Sequence, residues 1–383
     1  MSVEEKIIMA IVLLVFGVGV TGFASFITLF TIGPSYIPLI IMLMVAIYCG
    51  CLMYLFGLLK YKKWFWGIVS LGIVFCLIQP IYQFFDSKVA TVDAEVDIYQ
   101  YMPFTNSNLI VTLPEKAPLK LSEPLPKIDG ATALYPLYAA ISQAIYPEKS
   151  YDPYNSEVMV NTTPDAYSNL FKGDVDLIFV LTPSEQQLNR AKVLGVELEY
   201  IPIGKEAFVF FVNHKNEVEN LTLQQVKDIY SGKITNWSEL GGKNEDIRAF
   251  QRPQDSGSQT ALQKLMEGTP IMEAPTDDIV SLMGGIINEV AQYKNYKSAI
   301  GYTFRYFSNE MVKNEEIKLL EINGIAPTKE TIRSNEYPIT HDFYIVTTAD
   351  PDEKVQQIID WVLSEQGQQL IEQSGYIPIT SNE

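Results

Sequence analysis

The chain begins with long apolar runs and then changes to short apolar segments separated by polar ones. No charged residue occurs between Ile7 and Leu59, or between Trp64 and Phe85. One membrane crossing needs about 20 apolar residues, so the first run is long enough for two. The turn residues Gly33-Pro34-Ser35 divide it. We therefore predict a membrane region over residues 1–86 with three helices, at about 7–32, 36–59 and 64–85.

Two alternatives to membrane spans fit the sequence less well. A signal peptide has an apolar core of about 7–15 residues, shorter than either run. A buried hairpin in a soluble protein would not need three such runs end to end. Lys60, Lys62 and Lys63 separate the second run from the third. Because positive loops stay cytoplasmic, the N-terminus is predicted inside and everything after Phe85 extracytoplasmic, in a multi-pass cell-membrane protein.

Beyond the membrane region, residues 87–125 contain prolines and short apolar pieces and are predicted to form a tether. From Lys127 onward, short apolar strands alternate with helical segments. This pattern predicts an α/β fold with largely parallel sheets. There are more strand–helix units than one sheet would hold. We therefore predict two lobes, residues 126–206 with 338–383 and residues 207–337. Ligands of such sheets bind beyond the carboxyl ends of strands, where helices begin.

Composition explains why the chain is both apolar and acidic. Apolar residues make up 48% of its 383 residues, and its formal charge is −17. Residues 1–86 hold four lysines and three acidic residues, so residues 87–383 carry a net charge of −18. A body this acidic offers no basic stripe and excludes nucleic acid as a partner. All three cysteines (Cys49, Cys51, Cys76) lie in the predicted spans, so the body has no disulfide.

Three predicted strand-to-helix turns carry groups that can hold an anion. The first, at 129–134, contains Gly130, Thr132 and Ala133, and the second, at 161–165, contains Thr162 and Thr163. The free N–H groups of a helix start point toward the turn that precedes it. The third, at 252–260, begins with Arg252 and continues through Ser256, Gly257 and Ser258. A guanidinium grips an oxyanion with two parallel hydrogen bonds.

Each turn also has a purely structural interpretation. Serine or threonine at a helix start commonly caps the helix and contributes about 1 kcal/mol of stability. The third turn is the most specific of the three, because capping does not require its arginine. Three such turns in one two-lobed body favour anion binding.

The sequence around these turns resembles the phosphate-binding proteins that serve ABC phosphate transporters. The segment 130–137 is similar to their first ligand loop, and 252–258 to their Arg-x-x-x-Ser-Gly-Thr/Ser loop. Further similar segments lie at 229–237, 299–302, 360–368 and 375–378. The resemblance covers about 126–383. It implies a type II periplasmic-binding-protein architecture, with two α/β lobes, two crossover strands and a ligand cleft between the lobes.

The resemblance also implies roles for particular residues. Thr132, with Ala133, would bind the anion from one lobe, and Arg252, Ser256, Gly257 and Ser258 from the other. Thr162 or Thr163 would take the place of the family's second serine loop. Closure would occur near Gly204–Ala207 and near Tyr337–Thr340.

Two departures from the family's pattern concern the same site. Ala131 stands where many relatives have serine. The carboxylate that accepts a proton from hydrogen phosphate is not evident after Val175-Asp176. Asp255 and Asp176 are the possible substitutes, and Thr182 and Ser184 can contribute hydroxyl groups instead.

No other chemistry competes strongly with anion binding. His214 and His341 lie far apart, and no nucleophile–base pattern supports a surface hydrolase. We therefore expect a membrane-anchored solute-binding protein for phosphate or a similar tetrahedral oxyanion, without catalysis, cofactor or metal, feeding an ABC permease. The alternative is a ligand sensor or scaffold, because three helices exceed what anchoring needs. Its membrane helices would dock a signalling or transport partner in the lipid bilayer.

Overall fold

A computed structural model describes residues 2–31, 36–86, 91–93, 97–107, 109–273, 292–294, 297–312 and 317–379. The chain divides into two compact units, Met1–Ala90 and Thr91–Glu383. This boundary follows the change from apolar runs to acidic sequence. The predicted turn Gly33-Pro34-Ser35 lies outside the described residues.

The first unit contains three long helices: α1 (Val3–Thr31), α2 (Ile37–Leu55) and α3 (Lys62–Asp86). All three are long and apolar enough to cross a membrane, by length and composition. Large side chains such as Phe23 and Trp64 are exposed. Burying each one away from water is worth roughly 1.5–3 kcal/mol, so these surfaces favour an apolar environment.

The helix ends differ slightly from the predicted ones. Helix α1 begins at Val3 rather than near residue 7, because Ser2 and Glu5 cap its start. The backbone N–H of Ser2 donates to the Glu5 carboxylate at 2.7 Å, and that of Glu5 donates to the Ser2 hydroxyl at 3.2 Å. These reciprocal bonds let the helix extend into charged sequence.

The second unit alternates strands and helices over most of its length. In chain order the elements are β1 (Thr91–Asp93), β2 (Ile128–Gly130), α4 (Tyr135–Ile145), α5 (Thr163–Lys172), β3 (Leu177–Val180), α6 (Glu185–Leu194), β4 (Leu198–Asn213), β5 (Asn220–Leu221), α7 (Leu223–Tyr230), β6 (Arg248–Ala249), α8 (Gly257–Leu265), β7 (Gln292–Lys294), β8 (Ala299–Phe304), β9 (Ile317–Leu319), β10 (Glu321–Ile322), α9 (Lys329–Arg333), β11 (Thr340–Thr348), α10 (Glu353–Leu363), α11 (Glu365–Gln373) and β12 (Ile377–Pro378).

Strand β4 joins two sets of strands. Its residues 198–207 pair antiparallel with β11, and its residues 208–213 pair antiparallel with β8 and β9. The hydrogen-bonded order is β2-β3-β11-β4-β8-β6, with β2 parallel to β3 and β6 parallel to β8. The sheet is therefore mixed, which corrects the expectation of largely parallel sheets. The chain crosses between the two sets in β4 and returns in β11, and these two strands run in opposite directions.

The predicted strands 199–203 and 207–212 are one continuous strand. Gly204, which separates them in the sequence, sits in that strand rather than in a turn. A Cβ atom at Gly204 would collide with the ring of Phe343 and would lie 2.8 Å from the Ile377 carbonyl oxygen. The glycine is therefore required by the close approach of β11 and β12, and the expected hinge Gly204–Ala207 lies within a paired strand.

The segment 87–125, expected to be a tether, contributes residues to the core of the second unit within its described ranges 97–107 and 109–125. Tyr101, Ile110, Leu121 and Leu125 are buried in the same core as β4. The Leu121 N–H also donates to the Ile145 carbonyl at the end of α4, at 2.9 Å. These apolar residues therefore cover the core of the second unit.

A buried carboxylate lies where β4 passes between the two strand sets. Glu206 is 3% exposed, and its oxygens accept hydrogen bonds from the Ala207 N–H at 2.8 Å and the Tyr306 N–H at 3.3 Å. Burial raises the pKa of Glu206 to about 7, against the opposing effect of these bonds and of the charges on Arg305 and Lys329. Its ionised form is thus less favourable in the folded protein than in the unfolded chain.

We expect this carboxylate to make the second unit less stable as the pH rises from about 4.5 through 7. Because the folded-state pKa is raised, its stabilising contribution is complete below the unfolded pKa and is lost above the folded one. Glu206→Gln should remove about 3 kcal/mol of pH-dependent stability between pH 5 and pH 8. Urea unfolding of the full chain in detergent at both pH values measures this difference.

The exposed Glu199, on the same strand, provides the control, and Glu199→Gln should retain the wild-type dependence. His341, whose pKa burial lowers to about 4, titrates in the opposite sense in both proteins. Its contribution therefore cancels when wild type and variant are compared. Identical pH dependence in wild type and Glu206→Gln would contradict the prediction.

Candidate functional site

The first predicted turn follows β2 and is shaped by a glycine. A Cβ atom at Gly130 would lie 2.5 Å from the Phe179 carbonyl oxygen and 2.9 Å from the ring of Tyr138. That carbonyl accepts the Ala131 N–H at 2.9 Å, which aligns the turn with β3. Thr132 and Ala133 then form a short 3₁₀ turn that leads into α4. Within the described residues, the Thr132 hydroxyl has no hydrogen-bond partner, so it is available to a ligand.

The buried carboxylate of Asp129 ties the first turn to the second. It accepts the Gly130 N–H at 2.7 Å and the Asn161 N–H at 3.0 Å. It also accepts the side-chain amides of Asn161 and Asn169, both at 2.8 Å. Burial raises the pKa of Asp129, although these four bonds favour its ionised form. One side chain thereby sets the relative position of the two turns.

The second turn separates the roles of its two threonines. Thr162 is the N-cap of α5, and its hydroxyl donates to the Asp165 carboxylate at 2.7 Å. Thr163, the next residue, is buried and has a hydroxyl without a protein partner among the described residues. The structure therefore gives Thr162 a capping role and leaves Thr163 as the available hydroxyl of this turn.

The third turn leads into α8 and is held by a polar group beneath it. The Arg252 N–H donates to Gln259 Oε1 and to the Tyr302 hydroxyl, both at 2.9 Å, and that hydroxyl also donates to Gln259. Ser256 is the N-cap of α8 and accepts the Gln259 N–H at 3.3 Å. Gly257 and Ser258 occupy the first turn of α8, where backbone N–H groups lack partners within the helix.

The side chain of Arg252 is the main electrostatic feature of this turn. Its Nε atom is buried, and it has no hydrogen-bond partner among the described residues. A buried donor left unsatisfied costs about 1–3 kcal/mol, and more when it is charged. Such a group is stabilised by an anion that enters beside it.

Two of the turns meet at Gly257. A Cβ atom at this position would lie 3.4 Å from the Thr163 hydroxyl oxygen, 3.9 Å from Leu181 and 4.0 Å from the ring of Phe304. The start of α8 therefore faces the start of α5 across a gap lined on its other sides by apolar side chains. Hydrogen bonds and charges are stronger in such apolar surroundings than in water.

The first turn is braced from the C-terminal end of the chain. The Tyr376 hydroxyl donates to the Ala133 carbonyl at 2.7 Å, and the Tyr376 ring stacks on Tyr306 with centroids 4.0 Å apart. The Tyr306 N–H in turn donates to Glu206. This series of contacts connects the first turn to the strand β4.

The two carboxylates considered as substitute proton acceptors have different surroundings. Asp176 is exposed, and its carboxylate accepts the Lys127 N–H at 2.6 Å, which gives it a structural role at the start of β3. Asp255 accepts the Ser184 hydroxyl at 2.8 Å. Ser184 is itself the N-cap of α6.

Some residues that shape these turns were not assigned roles from the sequence. Asp129 directly precedes a segment that resembles the family and Tyr376 belongs to one, but Asn161 and Asn169 lie 32 and 40 residues from Asp129, and Ala133 lies 243 residues from Tyr376. An acidic residue directly before a turn glycine is the signal that could have indicated Asp129. Nothing in the local pattern indicates Gln259 or Tyr302.

Chemically, the turns offer the Arg252 guanidinium, the N–H groups at the start of α8, and the hydroxyls of Thr132, Thr163 and Ser258, which have no partner within the ranges that the structure describes. These are hydrogen-bond donors suited to an oxyanion. Among the described residues, no three His, Cys, Asp or Glu side chains cluster closely enough to hold a metal ion.

Comparison with known proteins places this unit in a defined group. A family model described as a PBP superfamily domain matches residues 124–366. The phosphate-binding protein PstS of Borreliella burgdorferi is 26% identical over 265 residues, covering 67% of this chain and 91% of that protein. The PstS of Bacillus subtilis is 27% identical, covering 66% and 80%.

A solved structure agrees in fold. It is that of a putative phosphate ABC transporter substrate-binding protein with bound phosphate, from Clostridium perfringens. It is 23% identical, has a TM-score of 0.52, and covers 66% of this chain and 99% of its own. The similarity supports the two-lobed α/β architecture that the sequence predicts.

We expect Gly257→Ala to block the gap between α8 and α5 without unfolding the protein. The added methyl group would make contacts of 3.4 Å or more, which a folded structure accommodates. It would occupy the space beside the Thr163 hydroxyl, so affinity for an anion at this position should fall at least tenfold. Isothermal titration with phosphate tests the affinity, and a melting curve tests whether the protein stays folded.

Gln254→Ala, at an exposed position in the same turn, is the control and should leave both the affinity and the melting temperature unchanged. Undiminished affinity in Gly257→Ala would place the anion elsewhere.

Proposed function

The chain belongs to the PBP superfamily, and from this we propose that its second unit binds phosphate or a similar tetrahedral oxyanion in the cleft between two lobes. The lobes are residues 126–206 with 338–383, and residues 207–337. The protein acts as a solute-binding protein without catalysis. It delivers its ligand to the permease of an ABC transporter. This part of the proposal follows the description of the Clostridium perfringens protein as a putative phosphate ABC transporter substrate-binding protein.

The observation that carries this proposal is the buried Nε of Arg252, for which the described part of the chain supplies no hydrogen-bond acceptor. In a protein that receives no ligand, such a donor would lower the stability of the folded state. With an oxyanion bound, the guanidinium, the N–H groups of Gly257 and Ser258, and the Thr163 hydroxyl all gain an acceptor. Thr132 contributes a further hydroxyl from the first turn.

The negative charge of the second unit does not oppose this function. Charges on the exposed surface are screened over about 8–10 Å in physiological salt. The donors of the site act over hydrogen-bond distances, and apolar neighbours such as Leu181 and Phe304 increase their effect. Affinity therefore arises locally, and net charge contributes little attraction at a distance.

We further propose that α1, α2 and α3 span the cell membrane. Lys60, Lys62 and Lys63 lie at the junction of α2 and α3, and this positive charge supports a cytoplasmic junction. The N-terminus is then also cytoplasmic, and the second unit is extracytoplasmic. The second unit is thereby anchored to the membrane that contains the permease.

The first test of the function concerns Arg252. We expect wild-type protein, purified free of anions, to bind phosphate in isothermal titration. Arg252→Ala should lose at least tenfold in affinity, because a charge-assisted hydrogen bond is worth about 1.5–3 kcal/mol. Arg190→Ala, which removes an exposed arginine on α6, is the matched control. Absence of wild-type binding at millimolar phosphate would overturn the phosphate proposal. Unchanged affinity in Arg252→Ala would remove this residue from the site.

The second test concerns topology. In intact cells, a cysteine introduced at the exposed Lys233 should react with a membrane-impermeant maleimide, and one at Lys62 should react only after permeabilisation. Cys49, Cys51 and Cys76 are replaced beforehand. Labelling of Lys62→Cys in intact cells would reverse the proposed orientation.

A further inference from the structure

Asp255 holds an unusual backbone conformation within the third turn. Its φ angle is 64°, in the left-handed region that non-glycine residues seldom adopt. It lies directly before Ser256, the N-cap of α8. A glycine would adopt this conformation with less strain. The aspartate side chain must therefore be explained by its contacts.

Two donors at the start of α6 contact Asp255, one at its side chain and one at its backbone carbonyl. The Ser184 hydroxyl donates to Asp255 Oδ1 at 2.8 Å, and the Gln187 side-chain amide lies 3.4 Å from the Asp255 carbonyl oxygen. Ser184 and Gln187 form a capping box and are 4% and 6% exposed. The contact is thus largely removed from water, and its donors are held in place by the helix they cap.

The contact joins the two halves of the second unit. Helix α6 follows β3, which pairs with β2 and β11 on one side of β4. Helix α8 follows β6, which pairs with β8 on the other side. Ser184 and Asp255 are 71 residues apart in the chain. A negative charge near the start of α6 is also favoured by the partial positive charge of that helix end.

We propose that Asp255 is a positioning residue that latches the two lobes together across the ligand cleft. Its carboxylate holds the turn carrying Arg252, Ser256 and Gly257 against the lobe that carries Thr163. The latch assembles the donor groups of the site before the ligand enters. The part of this inference that concerns the ligand rests on the proposed function, whereas the part that concerns the lobes does not.

Two substitutions separate the carboxylate from the backbone conformation. Asp255→Gly keeps the left-handed φ angle without strain and removes the contact with Ser184. Asp255→Asn tolerates the same φ angle and retains an oxygen that accepts the Ser184 hydroxyl. Asp350 provides the matched control, because it is exposed and has a φ angle of 60°. Asp350→Gly therefore makes the same chemical change away from the cleft.

A third substitution tests the direction of the effect. Ser184→Asp keeps a good N-cap for α6 but places a second carboxylate against Asp255. Repulsion between the two should open the cleft further than Asp255→Gly does. Combining Ser184→Asp with Asp255→Gly should remove that additional opening.

The experiment uses the full chain in detergent, with its native cysteines replaced and spin labels at Val193 on α6 and Lys233 beyond α7. Both side chains are exposed. Pulsed electron resonance measures the distance between the labels with and without phosphate. Without phosphate, we expect one short distance in wild type and Asp350→Gly, and a longer, broader distribution in Asp255→Gly and Ser184→Asp.

Phosphate release provides the second readout. Stopped-flow release should be at least tenfold faster in Asp255→Gly, and within about threefold of wild type in Asp255→Asn. Unchanged label distances and release in Asp255→Gly would overturn the latch. If wild type binds no phosphate, the proposed function fails, but the label distances still decide whether Asp255 joins the lobes.

Discussion

The pairing of β4 with β11 is the constraint on which the rest of the second unit depends. Residues 198–207 of β4 face 340–348 of β11, and the same strand continues to 213 among a different set of partners. Both lobes are therefore built on one strand. Gly204 permits the close approach of Phe343 and Ile377, and Glu206 lies buried just beyond it. Changes in the angle between the lobes must be accommodated at this crossing.

On that frame, buried polar groups set the positions of the turns. Asp129 accepts four hydrogen bonds and joins two turns of one lobe, while Gln259 and Tyr302 hold the backbone of Arg252 in the other. Each group is satisfied by its own lobe. The Arg252 Nε differs, because no described residue satisfies it. A buried donor without a partner calls for an explanation, and the ligand proposed for this turn supplies one.

Local sequence was sufficient for much of this picture. The charge-free runs predicted three helices, and helix-start chemistry located the turns at Thr132, Thr163 and Ser256. The structure differs from the predictions where contacts between distant residues decide which segments are buried or form a strand. Residues 97–125 lack periodicity, yet Tyr101 and Leu121 are core residues because other elements supply their partners. Two predicted strands are one strand, because Gly204 between them is not part of a turn. It allows Phe343 and Ile377 to pack closely against the strand.

The sequence by itself determined which segments are apolar, where the three turns that precede α4, α5 and α8 lie, and which of their residues carry hydrogen-bond donors. These properties depend on neighbours a few residues apart, so the linear pattern contains them. Only the tertiary structure decided that Thr163 faces Gly257 and that Asp255 contacts Ser184. Such assignments depend on which side of a turn each side chain takes and on what lies opposite. Folding brings those opposite groups together from distant parts of the chain, so their identity is not encoded in any local pattern.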